Sequence, residues 1–328
     1  MTESEVDPAV ATDESRAERE DVFGYHEPVL SDRVLDFLRP EDERLYLDGT
    51  VGGGGHARRI LEACQTCRLL AVDRDPEALE EARTLLAVFG DRVRFLHSRF
   101  EAAADDLEAR DQGFGGALLD LGVSSHQLDA DPRGFTFRRG VALDMRMDST
   151  EGDDARAFLN EATEDRLASV FRDFGGEQRS RRLAREVVKR RATEPFETSD
   201  QLVAALAVAK GRSPSAQDKA RIFQAVRIAV NEEIDSLELA LPVIREALNE
   251  GAVLVVIAYH SLEDRVVKNA FRDWSKACVC PPELPACMCR GHALGTTLTK
   301  KPVRADSEEV GRNVRARSAR LRAWRKAA

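Results

Sequence analysis

Leu45-Tyr46-Leu47-Asp48-Gly49-Thr50-Val51-Gly52-Gly53-Gly54-Gly55-His56 decides the fold. A short apolar run ends on an acid and opens into four consecutive glycines. Ala57, Ile60, Leu61 and Cys64 then fall at i, i+3, i+4 and i+7, the apolar stripe of an amphipathic helix. The same rhythm continues downstream. Residues 68–72 read as a second buried strand closed by Asp73. Asp75-Pro76 supplies an N-cap and a first-turn proline for a helix with Leu79, Ala82, Leu86 and Phe89 on one face. Residues 93–96 and 117–121 read as third and fourth strands. Strands alternating with helices at this spacing predict an α/β, doubly wound, Rossmann-like sheet.

The alternation stops near residue 150. Between there and residue 248 the pattern is helical: Leu167, Val170, Phe171 and Phe174 make one stripe, stopped by Gly175-Gly176. Leu202, Ala205, Leu206 and Ala209 make a second, and Ile222, Ala225, Val226 and Ala229 a third. Residues 252–258 then return to a buried strand. The reading is a helical domain, 146–248, inserted into an α/β domain made of 26–145 and 249–328. Residues 1–25 carry eight acids against Arg16 and Arg19 with little apolar content, the composition of a disordered acidic tail.

The 328 residues are 43% hydrophobic and 33% charged, which excludes a wholly disordered or collagen-like chain. The longest apolar run, 252–259, is far short of the ~20 residues that cross a bilayer, and no export pattern opens the sequence. A cytoplasmic protein without a membrane partner is expected. Its six cysteines then sit in a reducing compartment, where a disulfide framework is not expected. Net charge is −9, against a nucleic-acid partner, but basic residues cluster in 178–191 and 312–328, which favours one. A solvated charged face is the plain alternative for the first cluster.

Strand, glycine turn, helix and an acid at the end of the next strand form a nucleoside-binding unit. The glycines admit close backbone approach, and Asp73, eighteen residues past Gly55, is placed to accept from ribose hydroxyls. Asp48 narrows the choice. A carboxylate just before the glycines repels a pyrophosphate and attracts an ammonium and a sulfonium, and no Gly-Lys-Ser/Thr follows for a triphosphate. The cationic nucleoside that fits is S-adenosylmethionine. Asp120, at the end of the fourth strand, should face the same crevice, with a structural turn-capping role as its alternative.

These segments resemble the bacterial methyltransferases that modify the N4 amine of a cytosine in small-subunit ribosomal RNA. The resemblance rests on Asp48 to His56, on His26-Glu27-Pro28-Val29-Leu30, on Ala71 to Pro76 and on Leu118 to Ser125. It extends through Arg133-Gly134-Phe135-Thr136-Phe137, Leu143 to Asp148, Phe223 to Ile228, Tyr259 to Arg265 and Arg315 to Ser318, spanning about 26 to 322 in order. His126, Gln217 to Ala220 and Val314 depart from the family pattern. The resemblance implies an S-adenosylmethionine-dependent enzyme acting on 16S ribosomal RNA in the small subunit, at the decoding centre, as monomer or homodimer. It implies cofactor contacts from Gly53, Gly54, Gly55, His56, Asp73, Phe100, Asp120 and Gln127. Asp120 or backbone carbonyls of the 120–124 turn are the expected acceptors for the N4 amine, Asp120 being the one taken forward, with Ser124 and His260 helping to hold the base; His260 is equally read as a structural histidine.

Two other readings share some of these features. A nicotinamide oxidoreductase has the strand, turn and acid but lacks a reason for Asp48. A non-catalytic RNA-binding assembly module needs the basic segments but no intact cofactor pocket. Cys278, Cys280, Cys287 and Cys289 make a C-x-C…C-x-C array that could take zinc, although structural sites favour wider spacing; no metal is assigned to the active site. Cys64 and Cys67 are expected to be packing residues.

Overall fold

A computed structural model describes residues 28–124, 127, 133–280 and 288–328. The acidic tail, His26, Glu27, Ser125, His126 and Cys287 lie outside them. In chain order the elements are α1 (Ser31–Leu38), β1 (Leu45–Asp48), α2 (Gly55–Glu62), β2 (Arg68–Asp73), α3 (Pro76–Leu86), β3 (Val93–His97), a 3-10 turn at Phe100–Asp105, α4 (Leu107–Gln112) and β4 (Phe114–Asp120). Five helices follow: α5 (Ala155–Glu161), α6 (Glu164–Asp173), α7 (Ser180–Arg191), α8 (Ser199–Lys210) and α9 (Ala216–Asn231). The chain continues through α10 (Glu233–Ala247), β5 (Leu248–Ala258), α11 (Ser261–Trp274), β6 (Gly295–Thr297), α12 (Ser307–Arg312) and β7 (Arg320–Lys326).

The seven strands lie in the order β3-β2-β1-β4-β5-β7-β6. The first five are parallel, and β7 runs antiparallel to both β5 and β6. Alternating residues of each strand feed opposite faces. On β5, Val253, Val255 and Ile257 enter a core shared with Leu38, Ile60 and Leu79 of α1, α2 and α3. Leu254, Val256 and Ala258 enter the other, with Leu237 and Ile244 of α10 and Val267 and Phe271 of α11. Helices therefore cover both faces, as a doubly wound sheet requires. The strand order reverses between β1 and β4, the switch point where such sheets bind ligands.

The middle helices close a third core of their own. Phe171, Leu183, Leu202, Ile222 and Val226 pack with Leu143 and Met145 and touch neither sheet face cluster. Helix α10 does not join them. Its Leu237, Ala240, Leu241 and Ile244 lie against the sheet. On this packing we propose a helical domain of about 141–231. Asn231, buried, sits at the seam: its Oδ1 accepts from Met147 N at 2.7 Å, and its Nδ2 donates to Met145 O at 2.7 Å and Arg227 O at 2.9 Å.

The basic cluster at 312–328 is largely built into the fold. Residues 320–326 form β7 within the sheet, with Leu321, Ala323 and Trp324 fully buried. Arg322 is buried as well because Asp264 accepts from its Nε at 2.6 Å. Cys64 and Cys67 come together where the chain turns back between α2 and β2, their Cα atoms 5.8 Å apart, and Cys67 is fully buried. Arg92 closes the same turn, donating to the carbonyls of Leu61, Cys64 and Cys67.

Candidate active site

The carboxyl ends of β1, β2 and β4 open into a cavity of about 980 Å³, the size of a site for a nucleoside-bearing ligand. Asp48, Asp73 and Asp120 stand at the three strand ends because each is the last residue of its strand. Register puts Asp48 beside Ala71 and Leu118, so the three acids share one rim.

The glycine turn joins the first two acids. Gly52, at φ 51°, donates its N–H to Asp73 Oδ2 at 2.8 Å, and Asp75 N donates to the other oxygen at 2.9 Å. Each carboxylate oxygen keeps a second lone pair for a ligand hydroxyl. Burial pushes the Asp73 carboxyl up to about 6. Gly54, at φ 90°, does not line the cavity. A Cβ there would lie 3.4 Å from Ala82 Cα, Leu85 and Leu86, so this glycine serves the turn and the close approach of α2 to α3.

Asp48 is 1% exposed and lies behind the cavity wall. Its Oδ1 accepts from Thr50 N at 3.2 Å, and its Oδ2 has no hydrogen-bond partner. Burial pushes it up to about 7; Asp120 and Asp73 add to that, and His56 opposes it. His56, also buried, places Nε2 3.4 Å from Asp120 Oδ2 without making a hydrogen bond through either ring nitrogen. An orphaned buried carboxylate oxygen beside two further acids is suited to a positively charged ligand and opposed to a pyrophosphate.

Asp120 is fixed from two sides. Its N–H donates to Thr50 Oγ1 at 2.6 Å, and its Oδ1 accepts from the Tyr259 hydroxyl at 2.9 Å. Burial and the negative charge of Asp120 push the Tyr259 hydroxyl well above its usual 10, so it remains a donor. The loop after β4 is tied to α3 through Gln127. Its Oε1 accepts from Ser124 N at 3.0 Å, and its Nε2 donates to Asp75 Oδ2 at 2.6 Å. Asp75 in turn caps α3 and accepts from buried Arg133 at 2.9 Å.

Of the residues expected from sequence, Gly53, Gly55, His56, Asp73, Phe100, Asp120, Ser124 and Gln127 line this one cavity. His260 does not. It is the N-cap of α11, its Nδ1 accepting from Glu263 N at 3.4 Å and its Nε2 lying 3.0 Å from Glu263 Oε1. Glu263 accepts in return from Tyr259 N and His260 N. This capping box turns His260 toward the helix end and leaves Tyr259 and Glu263 on the cavity wall. Tyr259 was missed because its partner is 139 residues away; its place beside the buried run of β5 was the available signal. Arg227 and Glu233, paired at 2.8 Å, also reach the wall.

This sheet, with a glycine turn and three strand-end acids at its switch point, defines an S-adenosylmethionine-dependent methyltransferase. The model of the MraW methylase family matches residues 24–327, and the chain belongs to that family. It is 50% identical over 305 residues to the "Ribosomal RNA small subunit methyltransferase H" of Gemmatimonas aurantiaca, covering 92% of this chain and 96% of that one. Proteins of the same name from Heliobacterium modesticaldum and Syntrophotalea carbinolica are 45% and 47% identical, each covering 92% of this chain and 98% of its own. The nicotinamide oxidoreductase reading is set aside. Among the described residues no helix is long and apolar enough to cross a membrane.

Proposed function

We propose that this chain transfers a methyl group from S-adenosylmethionine to the N4 amine of a cytosine in 16S ribosomal RNA, at the decoding centre of the small subunit. The observation that carries the reading is Asp120, held by Thr50 and Tyr259 in the same cavity as Asp73 and the glycine turn. The names of the relatives supply the RNA. When bound, the cofactor supplies a methyl on a sulfonium, already a good leaving group, so the chain's task is positioning and electrostatics.

With the cofactor bound, Asp73 would accept from its ribose hydroxyls, Phe100 would pack beside the adenine, and the acids at Asp48 and Asp120 would favour its positive end. The cytosine N4 lone pair is delocalised into the ring and is a weak nucleophile. Asp120 Oδ2, which has no donor of its own beyond His56 at 3.4 Å, accepts an N4 hydrogen and draws the nitrogen toward tetrahedral geometry. Tyr259 holds the other oxygen, which fixes the direction of Oδ2. Ser124 holds the base, and His260 acts through Glu263 as a positioning residue for Tyr259.

A base reaches such a pocket only when it leaves its stack. Arg181, Arg182 and Lys189 on α7 are exposed and make no ion pair among the described residues, so they are the phosphate contacts of this reading. Arg179, Arg190 and Arg191 are used internally, on Lys210 O, Glu186 and the carbonyls of Leu159 and Ala162.

The test is radiolabelled methyl transfer to small subunits from a strain lacking the enzyme, followed by nucleoside mass analysis. N4-methylation of a cytosine supports the reading; label in another nucleoside overturns it. Asp120→Ala should lose about 10²–10⁴-fold in rate at saturating cofactor, the usual worth of a positioned acid–base group. A wild-type rate would remove Asp120 from the mechanism.

A further inference from the structure

The loop between α11 and β6 holds chemistry that the methyl-transfer site does not use. Cys278, Cys280 and Cys289 come from different parts of that loop, and their sulfur atoms all lie within 4.8 Å of one another. Val279 N donates to Cys289 Sγ at 3.4 Å, a backbone hydrogen bond that favours a thiolate over a thiol. The fourth cysteine of the array, Cys287, lies outside the described residues.

The two ends of the loop are fixed in place by polar contacts. Arg290 Nη2 donates to Lys276 O at 2.9 Å and to Asp273 O, and its Nε donates to His292 O at 2.9 Å. Leu294 N donates to Trp274 O at 2.8 Å where the chain rejoins the sheet. Both ends of the loop are thus anchored on the end of α11, and the sulfur cluster lies between the anchors. Val279 and Met288, on either side of it, are exposed.

We propose that Cys278, Cys280 and Cys289 form a binding site for one thiophilic divalent cation, zinc, which folds this loop against the end of α11. Tetrahedral zinc–thiolate bonds of about 2.3 Å place neighbouring sulfurs about 3.8 Å apart. Sulfurs already within 4.8 Å need to contract by no more than about 1 Å, a side-chain adjustment. Three thiolates select soft ions such as zinc over magnesium or calcium. Each cysteine releases its proton to solvent as the metal–sulfur bond forms, and no redox partner is needed. The fourth position is open to water or a further donor. Two of the three could alternatively close a disulfide, which would leave an odd thiol, and the test separates the two outcomes.

The full chain is produced with added zinc, purified under reductant and analysed for metal by plasma mass spectrometry. The expected content is about one zinc per chain, falling below about a tenth of that in Cys278→Ser, Cys280→Ser or Cys289→Ser. The Cys64→Ser, Cys67→Ser double variant, distant from the loop, should keep its zinc. Exchange of zinc for cobalt in the wild type should give sulfur-to-cobalt charge-transfer absorption and the visible bands of tetrahedral coordination. If a serine variant does not fold by circular dichroism, stepwise mercurial titration of the wild type reads the same site. Zinc should leave as the three thiols react, and release before they react counts against the site. A wild-type protein with neither zinc nor a cobalt charge-transfer band overturns the proposal. So does a disulfide among these cysteines in the reduced preparation.

Discussion

Asp48→Asn should make the protein more stable and worse at holding its cofactor. Asp48 is almost fully enclosed, one of its oxygens is unpartnered, and burial with Asp73 and Asp120 nearby pushes it from the ordinary 3.8 to about 7. At about 1.4 kcal/mol per pH unit, ionising it in the folded state costs about 4 kcal/mol relative to the unfolded chain. The sign follows from proton binding. Between about pH 4 and pH 7 the folded protein holds this proton and the unfolded chain does not, so this group makes stability fall as pH rises through that window. Asparagine has the same shape and does not titrate. The variant should match the wild type near pH 4, gain steadily above it, and level off at about 4 kcal/mol beyond pH 7. Urea unfolding without cofactor, repeated at several pH values and read as the difference between the two proteins, measures this. Calorimetry at pH 8 should show about a tenfold to hundredfold weaker affinity for S-adenosylmethionine, because a negative charge has left a water-poor site. A pH-independent stability difference, or tighter cofactor binding in the variant, would refute the claim that these acids exist to hold a cation.

Tyr259→Phe removes the donor to Asp120 and keeps the ring; kcat should fall about tenfold with KM for cofactor unchanged, as loss of one hydrogen bond to a charged group implies, and steady-state kinetics read it directly. Trp324→Ala should destabilise by about 3–5 kcal/mol in urea unfolding, since the ring is fully buried against Trp274 and Phe271, with centroids at 5.1 and 6.4 Å. Deleting residues 312–328 should therefore abolish folding instead of merely reducing the salt dependence of RNA binding. Arg181→Glu with Arg182→Glu should weaken binding to small subunits and lower its salt slope by about 2, leaving cofactor affinity unchanged by calorimetry.

The first half of the sheet was readable because the sequence itself changes period there. Apolar runs 45–47, 68–72 and 93–96 alternate with helical stripes, and the glycine turn leaves one topology to consider. The acids followed from the same logic, each closing a strand. Period alone does not name a partner, however. Leu237, Ala240, Leu241 and Ile244 give the same stripe whether α10 packs on the sheet or on its helical neighbours, and only the fold shows it on the sheet. In β7 the alternation was present in Leu321 and Ala323, but the arginines around them masked it. Arg322 is buried through Asp264, 58 residues away, and no local pattern announces such a pair. His260 and Tyr259 were adjacent in one motif, and the capping geometry of α11, not residue type, decided which of them faces the cavity.

The place of β7 has a consequence for how the chain is made. It separates β5 from β6, yet it is synthesised after both. From the end of β5 about 60 residues must emerge before its neighbour exists, several seconds of translation at about 5–20 residues per second. For that time one rim of β5 has its backbone amides and carbonyls unpaired beside some of the most apolar residues in the chain, a template for any passing strand. The nascent protein is thus most prone to aggregation after its cofactor turn and helical insert have been made, and a mutation that delays the final strand should lower yield without touching a single residue of the site.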